Sequence, residues 1–170
     1  MPNDLSHRTN RKLSPGSHYP LGATLGPGGV NFSLYSANAE EVRLLLFDRP
    51  DGEPTDVIRV ENRDRFAWHV FVHGAGAGQF YGYKVRGPFD PARGLRFNDR
   101  KLLIDPYAKA LTGKIVNEDN LLLAYDPATR RGTSPSTAGK TRPSSRRRSW
   151  WTTGSTGGGT RRPPSRSNGW

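Results

Sequence analysis

Between residues 29 and 86 the chain alternates apolar and polar side chains with a period of two. Val30, Phe32 and Leu34 flank Asn31 and Ser33, and Val42, Leu44 and Leu46 repeat the spacing after the polar break at 38–41. Val57–Val60 is a third short run. Phe66, Trp68, Val70 and Val72 form a fourth, and Phe80–Arg86 a fifth that is rich in aromatics. Such alternation sets one face of an extended strand toward a core and the other toward water. Turn-forming clusters separate the runs, at Gly26–Gly29, Arg49–Pro54, Asn62–Asp64 and Gly74–Gly78. Short strands with a turn every 8–12 residues predict an all-β fold, an antiparallel β-sandwich. No segment of 18–100 has a helical period. Leu102–Leu111 is mixed: Asp105-Pro106 blocks a helix arriving from upstream, and Pro106 suits the first position of a new one. This stretch is expected to be a docking or linker segment.

Composition divides the chain. Of 170 residues, 33% are hydrophobic and none is cysteine, so disulfides, thiolate metal sites and cysteine nucleophiles are excluded. No apolar run approaches the roughly 18–20 residues of a membrane span, and Met1–Asn10 lacks the apolar stretch of a secretory signal. The expectation is a cytoplasmic protein with no membrane partner. The formal charge of +11 is concentrated at one end: residues 131–170 hold nine Lys or Arg and no acid, and lack Val, Ile, Leu, Met, Phe and Tyr. A segment of that kind buries too little apolar surface to offset its ordering entropy. The expected organisation is a disordered segment at 1–17, a β-sandwich at 18–105, a linker at 106–130 and a disordered basic tail at 131–170.

Candidate chemistry is sparse. Glycoside hydrolysis needs two carboxylates about 5–10 Å apart across a cleft, whereas Asp48, Asp51, Glu53 and Asp56 read as ordinary loop acids. His7, His18, His69 and His73 lack metal-ligand spacing, and His69, next to Trp68, is expected to face solvent. Gly139-Lys140-Thr141 has the ending of a phosphate loop, but Ser134 stands where its first glycine belongs and no strand precedes it. No metal, cofactor or catalytic residue is assigned. Every aromatic fits a core position, and Trp68 is placed there. Tyr81 and Tyr83, on the face opposite Phe80, are also the candidates for exposure; there they would stack on a sugar, with Lys84 and Arg86 donating hydrogen bonds. Arg146-Arg147-Arg148 followed by Trp150-Trp151 mixes cations with stacking surfaces, the chemistry of sequence-tolerant single-strand binding.

Several motifs, in order, carry a resemblance. Tyr19-Pro-Leu-Gly-Ala-Thr24, Gly29-Val-Asn-Phe-Ser-Leu-Tyr-Ser-Ala-Asn-Ala39, Glu41-Val-Arg-Leu44, Gly78-Gln-Phe-Tyr-Gly-Tyr83, Arg86-Gly-Pro88, Arg96-Phe-Asn98 and Lys101-Leu-Leu-Ile-Asp-Pro-Tyr-Ala108 resemble the start of bacterial glycogen debranching enzymes of the isoamylase and pullulanase type. The resemblance covers about 18–126. It implies an immunoglobulin-like β-sandwich of the carbohydrate-binding type, followed by a large α-amylase-type barrel. In that family the barrel cleaves α-1,6 branch links with retention, using an Asp nucleophile and a Glu acid/base. Those positions lie downstream of anything present here, so none is carried over. Implied partners are an α-glucan such as glycogen and the barrel of the parent enzyme.

The basic tail departs from the family, whose corresponding segment is acidic and hydrophobic. Trp is encoded by TGG alone, Thr by ACN and Gly by GGN. One base earlier, residues 150–157 therefore permit Val-Val-Asp-Asp-Gly-Phe-Asp-Trp. That reading resembles the segment these enzymes carry before their barrel. It points to a frameshift within about 127–141. Three readings follow in order: the amino-terminal fragment of a debranching enzyme, a free-standing glucan-binding module, and a nucleic-acid binder through the basic tail.

Overall fold

The structure is a computed structural model that describes residues 7–112 and the short strand at 151–153. Two antiparallel sheets pack face to face. The first sheet contains β1 (Leu13–Ser14), β2 (Gly22–Gly26), β3 (Gly29–Tyr35), β6 (Asn62–Asp64) and β7 (Ala67–His73). Its order is β2-β3-β7, with β1 and β6 both on the far edge of β7. The second sheet contains β4 (Glu41–Phe47), β5 (Asp56–Val60), β8 (Phe80–Arg86), β11 (Ala110–Thr112) and β12 (Trp151–Thr153), in the order β5-β4-β8-β12-β11. A small hairpin, β9 (Phe89–Asp90) and β10 (Leu95–Arg96), stands apart around a 3-10 turn at Pro91–Arg93. The described residues contain no α-helix. The architecture is the all-β antiparallel sandwich expected from the pattern, of the immunoglobulin-like kind that the resemblance implies.

The period-two runs become the inner faces. Val30, Phe32 and Leu34 of β3 and Trp68, Val70 and Val72 of β7 meet Val42, Leu44, Leu46, Ile58, Tyr81, Tyr83 and Val85 of the second sheet in one apolar core. Phe32 bridges the sheets, its ring edge-on to Tyr81 at 5.0 Å between centroids. Trp68 is buried as expected, and its Nε1 donates to the Ser36 carbonyl at 3.1 Å. The β2–β3 turn closes on Gly26↔Gly29 with Gly28 at φ +77°, a conformation glycine adopts without the steric cost of a Cβ.

Several expectations are corrected. Residues 7–17, read as disordered, are tied down. Arg8 exchanges backbone hydrogen bonds with Val57 at 2.8 and 2.7 Å, and β1 pairs with β7. Farther on, Asn31 both accepts from the Ser17 amide and donates to the Ser17 carbonyl. The segment thus reaches from the edge of β5 to the edge of β7 and joins the two sheets. Asp56, read as a loop acid, opens β5 at 7% exposure, accepting from Thr9 Oγ1 at 2.6 Å and Arg11 Nε at 3.1 Å. Asn62–Asp64, read as a turn, is strand β6, because β7 offers it an edge. Phe66 lies at the hairpin tip, 47% exposed, rather than in the core.

The segment after β8 docks, as expected, but as extended chain. Leu103 and Tyr83 exchange backbone hydrogen bonds at 2.9 and 2.7 Å, so this stretch extends the edge of β8. Pro106 lies in a turn and starts no helix, and ordered pairing continues past residue 105 to β11. Within the span read as a disordered tail, the backbone of Trp151–Thr153 pairs with β8 and β11. The rest of 131–170 lies outside the described residues, including Gly139-Lys140-Thr141 and Arg146-Arg147-Arg148-Ser149-Trp150.

Candidate carbohydrate-binding surface

The four residues singled out from the sequence separate onto two faces of β8. Tyr81 and Tyr83 point inward and are each 1% exposed, so neither offers a ring to a sugar. Their expected exposure is corrected by the register: Tyr81 is paired with Leu46 and Tyr83 with Leu44, both core residues. Tyr81 Oη donates to Asp105 Oδ2 at 2.7 Å, and Asp105 Oδ1 accepts from the Tyr107 amide at 2.8 Å. Burial lifts the Asp105 carboxyl above its ordinary value, and the two hydrogen bonds and Lys109 oppose that. Tyr83 Oη is buried with no hydrogen-bond partner among the described residues. Burial, then the nearby Asp105 and Tyr81, raise its pKa well above 10.0.

Lys84 and Arg86 do face outward. Arg59, Arg43 and Lys84 lie side by side across β5, β4 and β8, a row of like charges that a sheet tolerates only with anionic relief. Glu41 supplies part of it: its carboxylate binds Arg43 Nε at 2.6 Å and Arg86 Nη2 at 3.0 Å. Burial lowers the Lys84 pKa, and Arg43 adds to that against the pull of Asp99 and Glu53. The next rows outward are apolar. Leu45, Phe47 and Val57 form a second cluster covered by Phe80 and Leu102. Leu102 reaches Gly82 so closely that a Cβ there would lie 3.0 Å from its Cδ1. This face therefore carries a basic strip beside an apolar cluster that the chain itself already buries.

The exposed aromatics lie elsewhere. Tyr35, at the end of β3, is 57% exposed and meets Phe66 edge-to-face at 6.0 Å. The β6–β7 turn places Asp64 opposite Ala67 and Ala67 opposite Tyr35 on the outer face of the first sheet. His18 Nδ1 contacts Asp64 Oδ2 at 3.1 Å. His69, beside them, is half-buried rather than solvent-facing; its Nδ1 has no partner among the described residues, and burial lowers its pKa. The sequence reasoning missed Tyr35 and Phe66. The available signal was parity, because Tyr35 falls on the polar face of its strand with Asn31 and Ser33. Among the described residues no group of three or more His, Asp or Glu is placed to hold a metal ion.

Residues 20–108 match the family model for carbohydrate-binding module 48, the isoamylase N-terminal domain. The chain belongs to this family. The chain is 45% identical over 123 residues to a glycogen debranching enzyme of Serratia proteamaculans, a match covering 72% of this chain and 18% of that one. It is 50% identical over 103 residues to a glycogen debranching enzyme of Yersinia pseudotuberculosis, covering 61% of this chain and 15% of that one. The chain thus spans less than a fifth of the length of these relatives. Among solved structures, the pullulanase of Paenibacillus barengoltzii in complex with maltohexaose and α-cyclodextrin is 28% identical, with TM-score 0.45 over 57% of this chain and 14% of that one.

Proposed function

We propose that this chain is the amino-terminal α-glucan-binding module of a glycogen debranching enzyme, whose catalytic domain hydrolyses α-1,6 branch linkages. The observation that supports this reading most is the carbohydrate-binding-module match over 20–108, continuous across both sheets and the docked segment. On this reading the module presents glucan to the enzyme, and the bond-breaking carboxylates belong to the barrel. The test is co-sedimentation of the full chain with glycogen. Retention that soluble maltoheptaose competes away and cello-oligosaccharide does not is the expected result. Passage into the supernatant at all glycogen concentrations would overturn the reading.

The reading includes the frame of the tail. The Serratia relative matches 123 of the 170 residues, and the last forty residues carry nine cations and no acid. Both fit a shift of frame within about 127–141. Resequencing genomic DNA from codon 120 past the stop is expected to show a single-base slip that restores an acidic segment and then a barrel-coding frame. One unbroken frame ending after Trp170 would refute the shift.

A further inference from the structure

We infer that the outer corner of the first sheet, with Tyr35 and Phe66 as its stacking surface and Asp64 and His18 as its hydroxyl-binding groups, is a site for α-glucan. This assignment rests on the α-glucan reading above and gives it a place. Single exposed aromatics need no explanation. Here two lie in contact, and the backbone beneath them is held from several sides.

Arg63 does most of the holding. Its Nε donates to the Arg65 carbonyl at 2.7 Å, its Nη2 donates to the Ala37 carbonyl at 3.0 Å, and its guanidinium lies 4.9 Å over the Trp68 ring. The Ser36 amide donates to the Phe66 carbonyl at 2.8 Å, and Trp68 Nε1 donates to the Ser36 carbonyl. The end of β3 and the β6–β7 hairpin tip are thus fastened to each other and to a buried indole. Arg65 at the tip has φ +53°, a left-handed conformation that costs a residue with a Cβ roughly 1 kcal/mol or more. Surrounding bonds hold the tip in that shape, and the shape holds Phe66 against Tyr35, outside the core. A surface kept rigid before its ligand arrives loses little entropy on binding.

The chemistry suits a pyranose. Aromatic rings pack against the C–H face of a sugar, and a carboxylate beside an imidazole offers acceptors and a ring nitrogen to neighbouring hydroxyls. In the register, Tyr35 and Asp64 lie two strands apart on one outward face, about 10 Å, with Ala67 paired between them. That spacing takes a sugar ring or two lying flat across three strands. His18 is fixed there as well, because Ser33 Oγ donates to its carbonyl at 2.8 Å.

The experiment titrates the full chain with maltoheptaose and with glycogen, comparing wild type with Tyr35→Ala, Phe66→Ala, Tyr35→Phe and Tyr19→Ala. Tyr19 is the control, an aromatic 74% exposed that follows His18 in the chain and is not part of the Tyr35–Phe66 stacking pair. The expected result is at least tenfold weaker binding for Tyr35→Ala and Phe66→Ala, with Tyr35→Phe and Tyr19→Ala close to wild type. In the wild-type chain, maltoheptaose should shift the ring resonances of Tyr35 and Phe66, a readout independent of whether a variant folds. Wild-type binding with unmoved rings and an unaffected Tyr35→Ala would overturn the corner assignment and leave the α-glucan reading standing. No binding by wild type would overturn both. Loss of self-association in Tyr35→Ala, with glucan affinity intact, would make the corner a contact between copies and overturn the assignment.

Discussion

Tyr81 and Tyr83 are neighbours on one strand, equally buried, with rings 5.9 Å apart, yet removing their hydroxyls should have opposite effects. Among the described residues Tyr83 Oη has no partner, and it lies in a place closed to solvent. A buried orphan hydroxyl costs about 1–3 kcal/mol of desolvation with no bond in return. Tyr83→Phe keeps the ring, fills the same volume and deletes that cost, so it should stabilise the chain by about 1–2 kcal/mol. Tyr81 Oη donates at 2.7 Å to a carboxylate that is itself 1% exposed. Tyr81→Phe removes a bond of the charge-assisted class and leaves Asp105 with only the Tyr107 amide, a loss of about 1.5–3 kcal/mol. Thermal and urea melts of the full chain measure both. At about 4–8 °C per kcal/mol for a domain near 100 residues, the two variants should melt on opposite sides of wild type. A Tyr83→Phe variant that melts at or below wild type would refute the reasoning, showing that the hydroxyl has a partner.

Three further outcomes are expected. Asp105 holds its proton more tightly in the fold than its ordinary 3.8, so the stability it contributes is full below that pH and is lost as pH rises through the raised native value. Asp105→Asn should therefore flatten the fall of stability as pH rises above 3.8 in urea titrations, and a profile parallel to wild type would count against this. Asp56→Ala should release residues 7–14 by removing the anchor of Thr9 and Arg11, visible as faster amide exchange at Arg8 and β1, with about 1–3 kcal/mol lost; unchanged exchange there would show that backbone pairing alone holds the segment. Gly29→Ala should cost several kcal/mol or block folding, since its Cβ would lie 2.4 Å from the Val72 carbonyl oxygen, and a wild-type melt would mean β3 and β7 can part freely.

The strands with a clean apolar parity were readable from the sequence, and the reason is physical. β3, β4, β5, β7 and β8 each bury one face against the other sheet, so their pattern is enforced by the core. β1, β2 and β6 have weak patterns, since Leu13–Ser14, Gly22–Gly26 and Asn62–Asp64 take their conformation from an edge offered by β7 or β3. In β8 the two faces differ from the expectation: Phe80 shares its parity with Lys84 and Arg86, and Val85 marks the buried face that Tyr81 and Tyr83 share. The buried acids Asp56 and Asp105 were invisible for a related reason. Their donors, Thr9, Arg11 and Tyr81, lie 24 to 47 residues away in the chain, beyond any local pattern. The Tyr35–Phe66 pair is likewise a product of topology, formed when the β6–β7 turn returns to the end of β3.

The central claim is that this module binds α-glucan, and calorimetric titration of the full chain with maltoheptaose tests it most directly. Saturable binding that weakens at least tenfold in Tyr35→Ala is the result the account predicts. The absence of any saturable heat from maltoheptaose, in a chain shown to be folded by its cooperative melt, would contradict it.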